Sequence, residues 1–420
     1  MAKLKKVSLG LMVLLLPGIA FAQDSNIPMT GTAVPGMESY DRVIPHLMRK
    51  YHIPGGAVAV VKNGRLVLAR GYGLADKRRK QPIQPDFLFR IASISKPITA
   101  VAILKLVEEG GLDLDAKAFQ ILNHLRPPAG RTVDPRISQI TIRQLLQHSG
   151  GWDPKQSFDP MFIPIKAARA VNAPAPASCE TVIRYMLGQP LDFTPGSGFA
   201  YSNFGYCVLA RVIEKVTGRS YEEYVQTQVL APMGISRMRI GHTLLEECAE
   251  GEVCYYDYPG ARRVQSVFRA GRRFVPRPYG GFHLEAMDAH GGWIASAIDL
   301  MRFVTAVDGD STPPDILKPE TIRLMVSRPA LPQWKGSSYY YGMGWNVRPV
   351  RGDANWWHTG GLPGTRTIIV RTHHGLAWTA LFNSRPKDVK AFTRELDKTL
   401  WQAAREVTKW PTHDLFQQYP

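Results

Sequence analysis

The strongest constraint on this chain's fold is a pair of strand-forming stretches at opposite ends of it. Near the start, Ala57-Val-Ala-Val-Val-Lys-Asn-Gly-Arg-Leu-Val-Leu-Ala69 is two apolar, β-branched runs joined by Asn63-Gly64. That dipeptide accepts positive φ at both turn positions, as a type I′ hairpin requires. Near the end, residues 367–371 and 376–382 alternate around His373-His374-Gly375 and read as a second hairpin. The helix that follows places Val389, Phe392, Leu396, Leu400, Ala403 and Val407 on one face. The middle of the chain has a different character. Val208, Val212, Ile213 and Val216 share one helical side, Ser220-Tyr-Glu-Glu223 is a capping signature, and 141–148 is a short helix ended by Gly150-Gly151. The expected fold is therefore α/β (α+β). An antiparallel sheet is assembled from both ends and flanked by helices, with a mainly helical lobe inserted.

The boundaries follow. Residues 36–111 and 290–410 form the sheet lobe, including a helix over 39–50 and one that Ser296 and Asp299 cap. Residues 112–289 form the helical lobe, and the two lobes make one unit. The proline-rich run 160–176 and the basic run 262–277 read as loops, 23–35 as a flexible lead-in and 411–420 as a tail. Residues 1–22 read as a cleaved secretory leader. Lys3, Lys5 and Lys6 precede an apolar run, and Ala20-Phe21-Ala22 is a small-x-small cleavage site. The mature protein is expected to be exported, periplasmic or secreted, touching a membrane only through that leader.

At 45% hydrophobic and 21% charged residues, the composition is that of a globular protein and excludes general disorder. The net charge of +17 is scattered and accompanies no nucleic-acid motif, so no nucleic-acid partner is expected. An oxidising compartment permits disulfides. Cys248 and Cys254 flank Gly251 as a plausible small disulfide loop, and Cys207, on an apolar helical face, reads as a buried thiol. There is no His-Glu-x-x-His stretch, and His148, His283, His290, His373 and His374 are scattered. No metal and no cofactor are expected, and His148 reads as structural support.

Three short stretches carry chemistry. In Arg90-Ile-Ala-Ser-Ile-Ser-Lys96, Ser93 lies three residues before Lys96 and so shares its helical face. Ser95 is the lysine's neighbour and points about 100° away. Only Ser93 can offer its hydroxyl to the Lys96 amine, and it stands at a helix start where free N–H groups await an anion. Taken alone, Ser-x-x-Lys fits a plain N-cap equally well. It recurs as Ser384-Arg-Pro-Lys387, which reads as a linker and cap. Tyr201-Ser202-Asn203 follows Pro195-Gly196 and precedes a helix, and His358-Thr359-Gly360 runs with Gly361 into a strand. No Gly-x-Ser-x-Gly elbow is present.

In order and context these boxes resemble those of the penicillin-recognising serine hydrolases: Ser-x-x-Lys, Tyr-x-Asn, then Lys-Thr-Gly or His-Thr-Gly. The chain is similar over roughly 36–405 to class C β-lactamases, D-alanyl-D-alanine peptidases and β-lactamase-like esterases. Ile53-Pro-Gly-Gly, Leu145-Leu-Gln-His-Ser149-Gly and Tyr341-Gly-Met-Gly-Trp345 add scaffold support. The resemblance implies a β-lactamase/transpeptidase-like fold and an acyl-enzyme on Ser93. It implies that Lys96 and Tyr201 share the proton transfers and that Asn203 holds Lys96 and the substrate amide. It also implies an oxyanion hole from the N–H groups of Ser93 and Gly361, with His358, Thr359 and Gly360 forming the third box. A histidine at that box, in place of lysine, is similar to esterase-like members and some peptidases. It favours small esters or D-amino-acid peptides over efficient β-lactam hydrolysis, because histidine is a weaker cation. Arg366 reads as a surface arginine, with a substrate-carboxylate contact as the alternative. Trp356 and Trp357 either line the cleft or pack in the core. The alternative function is a penicillin or cell-wall-peptide sensor that turns over slowly. Nothing in the sequence fixes the oligomeric state.

Overall fold

The computed structural model describes residues 27–268 and 273–419; the expected leader, 1–22, lies outside them. Helix α1 (Glu38–Lys50) leads into β1 (Gly55–Lys62) and β2 (Arg65–Asp76). Asn63 and Gly64 join these strands with φ of 50° and 75°, the double positive φ expected of their turn. The short strand β3 (Phe89–Arg90) precedes helix α2 (Ser95–Glu108). The middle of the chain supplies α3 (Ile142–Leu146), α4 (Cys179–Leu187) and α5 (Asn203–Thr217). It closes with β4 (Trp293–Ala295) and α6 (Ala297–Thr305), whose Ser296–Asp299 capping box forms as expected. Strands β5 (Tyr340–Tyr341), β6 (Asn346–Val350), β7 (Asp353–Leu362), β8 (Thr365–Arg371) and β9 (Leu376–Phe382) then build up the sheet. Helix α7 (Val389–Glu406) follows.

The main sheet runs β2-β1-β9-β8-β7-β6-β5, antiparallel throughout. Its two halves meet where β9 pairs with β1, from Leu376 opposite Lys62 to Phe382 opposite Gly56. Helices cover both faces, so the central strands are apolar at nearly every position rather than at alternate ones. Val58, Val60, Ile368, Val370 and Trp378 face α1 and α7. Ala57, Ala59, Ile369 and Leu381 face the core shared with α2 and α6. Trp378 meets Trp401 of α7 edge-on at 4.7 Å. Truncating so buried an aromatic costs about 3–5 kcal/mol.

Five expectations need correction. The disulfide is Cys179–Cys207, tying α4 to α5, while Cys248 and Cys254 are free. Cys207 is buried, but in this bridge and not as the free thiol expected; chain spacing does not measure the distance between Cα atoms, and two helices packed side by side bring distant cysteines together. The run 160–176 contains a helix, Pro164–Ala170, whose proline occupies the first turn where its missing N–H costs nothing. In the basic run, Val264–Gln265 pairs with Phe274–Val275. In the described part of the lead-in, from residue 27, Met29–Thr30 pairs with β2, and Arg70 holds the Thr30 carbonyl at 3.1 Å. In the tail, Leu415 is buried and Arg302 holds the Phe416 carbonyl.

Candidate active site

Backbone packing fixes the nucleophile first. Arg90 of β3 is fully buried; its guanidinium donates to the carbonyls of Pro278 and His242 and lies over the Tyr255 ring. From β8, Thr365 and Thr367 donate to the carbonyls of Arg90 and Ile91. These contacts hold the 3-10 turn Ala92–Ile94, which carries Ser93 immediately before α2. Ala92 sits at φ 49°, a left-handed conformation that costs a residue with a Cβ about 1–3 kcal/mol. The strain lies directly beside the nucleophile.

The third box lies against this turn. β6 pairs with β7 only as far as Asn346 opposite Trp357, so among the described residues no strand pairs with 358–362 on that side. Gly360 touches the turn: a Cβ there would stand 2.1 Å from the Ile91 carbonyl oxygen. Strand alternation places His358 and Gly360 on this inner face. Thr359 and Gly361 alternate to the outer face, where Thr359 lines a cavity with Arg366.

Lys96 is fully buried in the first turn of α2. Its Nζ lies 3.1 Å from Ser93 Oγ, 2.8 Å from Asn203 Oδ1 and 2.9 Å from the His290 carbonyl oxygen. The last two oxygens can only accept, so they take two N–H groups and leave the third position facing Ser93. In the ammonium form that position is a donor. In the neutral amine it is the lone pair, aimed at the serine hydroxyl. Burial pushes the Lys96 pKa well below 10.5, partly countered by the Asp159 carboxylate, and so favours the neutral form. Ser95 is turned away, its hydroxyl donating to the Ala92 carbonyl.

Tyr201 stands beside Lys96, whose Nζ lies 4.7 Å from its ring centre, and the Ser93 hydroxyl acts on its phenol. Burial raises its pKa above 10, against the lowering influence of Ser93 and Arg366, so it rests as a phenol. His148 backs it: the Ser202 N–H donates to His148 Nδ1 at 3.2 Å, and the two rings lie 4.3 Å apart. His148 thus packs on Tyr201 and holds its loop.

His358 is buried and neutral. Its Nδ1 donates to the Thr359 carbonyl at 2.9 Å, which leaves Nε2 to accept from the Tyr341 hydroxyl at 3.1 Å. Burial and the Lys96 charge push its pKa down to about 3. Its ring centre lies 6.2 Å from that of Tyr201. It therefore contributes an oriented acceptor rather than the partial positive charge expected of it.

The sequence reading missed Asp159. Its Oδ2 accepts from Asn203 Nδ2 at 2.6 Å and its Oδ1 caps Met161 N–H at 3.1 Å. The available signal was Asp159-Pro160, a cap followed by proline in the first turn. That signal finds the turn but not the contact with Asn203. Arg366 is not a surface arginine: it is mostly buried beside Gly361, and its charge reaches Tyr201 and His358. Trp356 packs in the core, while Trp357 lines the outer cavity rather than the catalytic turn. Elsewhere, His242, Glu247 and Glu285 each bring one ligand atom within 4.8 Å of the others, but Glu285 is already held by the Thr243 N–H and hydroxyl.

Sheet, helical lobe and serine–lysine pair together are those of the serine hydrolases built on the β-lactamase fold. The chain belongs to the Beta-lactamase family, whose sequence profile matches residues 40–399. It is 32% identical over 206 residues to Protein flp of Staphylococcus aureus (strain N315), covering 49% of this chain and 39% of that one. It is 32% identical over 198 residues to Esterase EstB of Burkholderia gladioli, covering 46% and 49%. The chain thus spans less than half the length of these curated relatives. Among solved structures, the octameric penicillin-binding protein homologue from Pyrococcus abyssi superposes with TM-score 0.66 at 25% identity, over 87% of this chain and 77% of that one. The D-amino acid amidase from Ochrobactrum anthropi SV3 superposes with TM-score 0.67 at 22% identity, over 89% and 99%.

Proposed function

We propose that this chain is an exported serine hydrolase that cleaves an ester or amide of a small molecule or peptide through an acyl-enzyme on Ser93. The observation that carries the reading is the Lys96 Nζ geometry, in which two acceptor-only partners leave the lone pair facing Ser93 Oγ. As Oγ attacks the acyl carbon, Nζ takes its proton. The Ser93 and Gly361 N–H groups receive the developing oxyanion, each such donor being worth roughly 3 kcal/mol. The Tyr201 hydroxyl passes a proton to the leaving group and recovers one from Lys96, and water then releases the acyl group. Export rests on the leader at 1–22.

The acyl donor that suits this site carries no carboxylate beside the scissile bond, because His358 is neutral where a lysine would be charged. A short ester or an amino-acid amide meets that condition better than a penicillin. The names of the Burkholderia esterase and the Ochrobactrum amidase support the same choice.

The test is a substrate panel on the purified protein: p-nitrophenyl acetate, D-phenylalanine amide and a fluorescent penicillin. Turnover of one of the first two, lost in a folded Ser93→Ala variant, is expected. A long-lived penicillin label without turnover of either would instead establish the slow sensor.

A further inference from the structure

The cavity lined by Thr359 and Arg366 lies behind the catalytic strand, and the hydrolase reading does not use it. It measures about 460 Å³, between the outer face of β7 and β8 and the inward side of α7. That is room for a small organic ligand. Its body is apolar, with Trp357 and Val370 on the sheet side and Val389 and Trp401 on the helix side. Its charge is one-sided. Arg348, Arg366, Lys390 and Arg394 line it against a single carboxylate, Asp397. Asp397 already lies in the field of Arg348, whose guanidinium is 5.3 Å from the Trp357 ring centre.

Arg366 is the informative cation. It stands at the end of the cavity nearest the third box. Gly361 opposite makes the room for it, since a Cβ there would be 2.7 Å from Arg366 Nη1. Its Nε is buried with no hydrogen-bond partner, and no carboxylate among the described residues pairs with it. Burial, and then the nearby Arg385 charge, push its pKa down to about 10. A guanidinium in such a place is costly unless an anion shares it. Nothing described on the protein supplies that anion, while an open cavity adjoins it.

We propose that this cavity is a binding site for a single-chain amphipathic carboxylate, with the head on Arg366 and the chain between Trp357, Val370, Val389 and Trp401. Two parallel N–H···O bonds match a guanidinium to a carboxylate, and the aromatic and aliphatic walls match a hydrocarbon tail. The site is distinct from the acyl position. Strand alternation puts Thr359, Trp357 and the cross-strand Arg366 on the outer face, whereas Gly360 faces the Ser93 turn from the inner one.

The test is calorimetric titration of the full chain carrying Ser93→Ala, so that turnover plays no part and failure of the hydrolase reading is a separate result. Dodecanoate is expected to bind at one per chain, at least about tenfold more tightly than dodecyltrimethylammonium or dodecanol. Arg366→Gln is expected to weaken dodecanoate at least about tenfold and to leave the weak dodecanol binding unchanged. If that variant does not fold by circular dichroism, Val389→Trp, which fills the cavity from the first turn of α7, must abolish binding instead. Absence of dodecanoate binding, equal binding of the cationic amphiphile, or indifference to the variant tested would overturn the proposal.

Discussion

Asp159 decides which end of the Asn203 side chain faces the catalytic lysine. Its carboxylate can only accept, so it takes Asn203 Nδ2, at 2.6 Å, and turns Oδ1 towards Lys96 Nζ at 2.8 Å. The reverse orientation would bring an amide N–H against the lysine and an amide oxygen against a carboxylate. The lone pair of Lys96 is thus aimed at Ser93 by a residue that touches neither of them directly. The same carboxylate has an electrostatic effect: its charge raises the Lys96 pKa, against a larger lowering by burial.

These two effects of Asp159 separate in a variant. Asp159→Asn is expected to reduce kcat about 10- to 100-fold, the usual scale for losing a group that orients a reacting one. Removing the negative charge also lets the Lys96 pKa fall further, so the acid limb of the rate profile should move to lower pH. Rates measured across pH 4–9 check both. A drop in rate with an unmoved limb would mean that Asp159 only holds its loop.

His358 should be silent in the same profile. With its pKa near 3 it stays neutral through the working range, accepting from Tyr341. Glutamine can accept in the same way, so His358→Gln is expected to keep kcat within about fivefold and to remove no inflection between pH 5 and 8. An inflection near 6.5 that vanishes in this variant would show the imidazole titrating.

Gly360 is required for close approach rather than for a turn. A methyl group there would meet the Ile91 carbonyl oxygen at 2.1 Å and Thr367 Oγ1 at 2.2 Å, so strand or turn must move. Gly360→Ala is expected to cost at least about 1–3 kcal/mol of stability and most of the activity. Denaturant titration alongside kinetics checks it. A variant of full stability and full rate would mean that the strand does not press on the nucleophile turn.

Much of this molecule can be read from local pattern. The choice of Ser93 over Ser95 needs only the helical repeat, and the structure gives Ser95 a backbone partner instead. The hairpin at Asn63-Gly64 and the one-faced final helix are equally local signals. What stays hidden depends on elements far apart in sequence. Asp159 reaches Asn203 across 44 residues from a loop whose only local signal is a cap. Arg366 is buried by packing its own strand does not reveal, and His358 is neutral because of what surrounds it, not because of its box. The Cys179–Cys207 bridge likewise joins neighbours in space that stand 28 positions apart in sequence.

The most direct measurement is the pH dependence of Ser93 acylation, followed by the pre-steady-state burst with p-nitrophenyl acetate. A Lys96 pKa held well below 10.5 by burial predicts a rate that stops rising well before the ordinary lysine range is reached, while Tyr201 has not begun to ionise. An acylation rate still climbing tenfold per pH unit up to about pH 10 would show an ordinary charged lysine at rest and contradict the account.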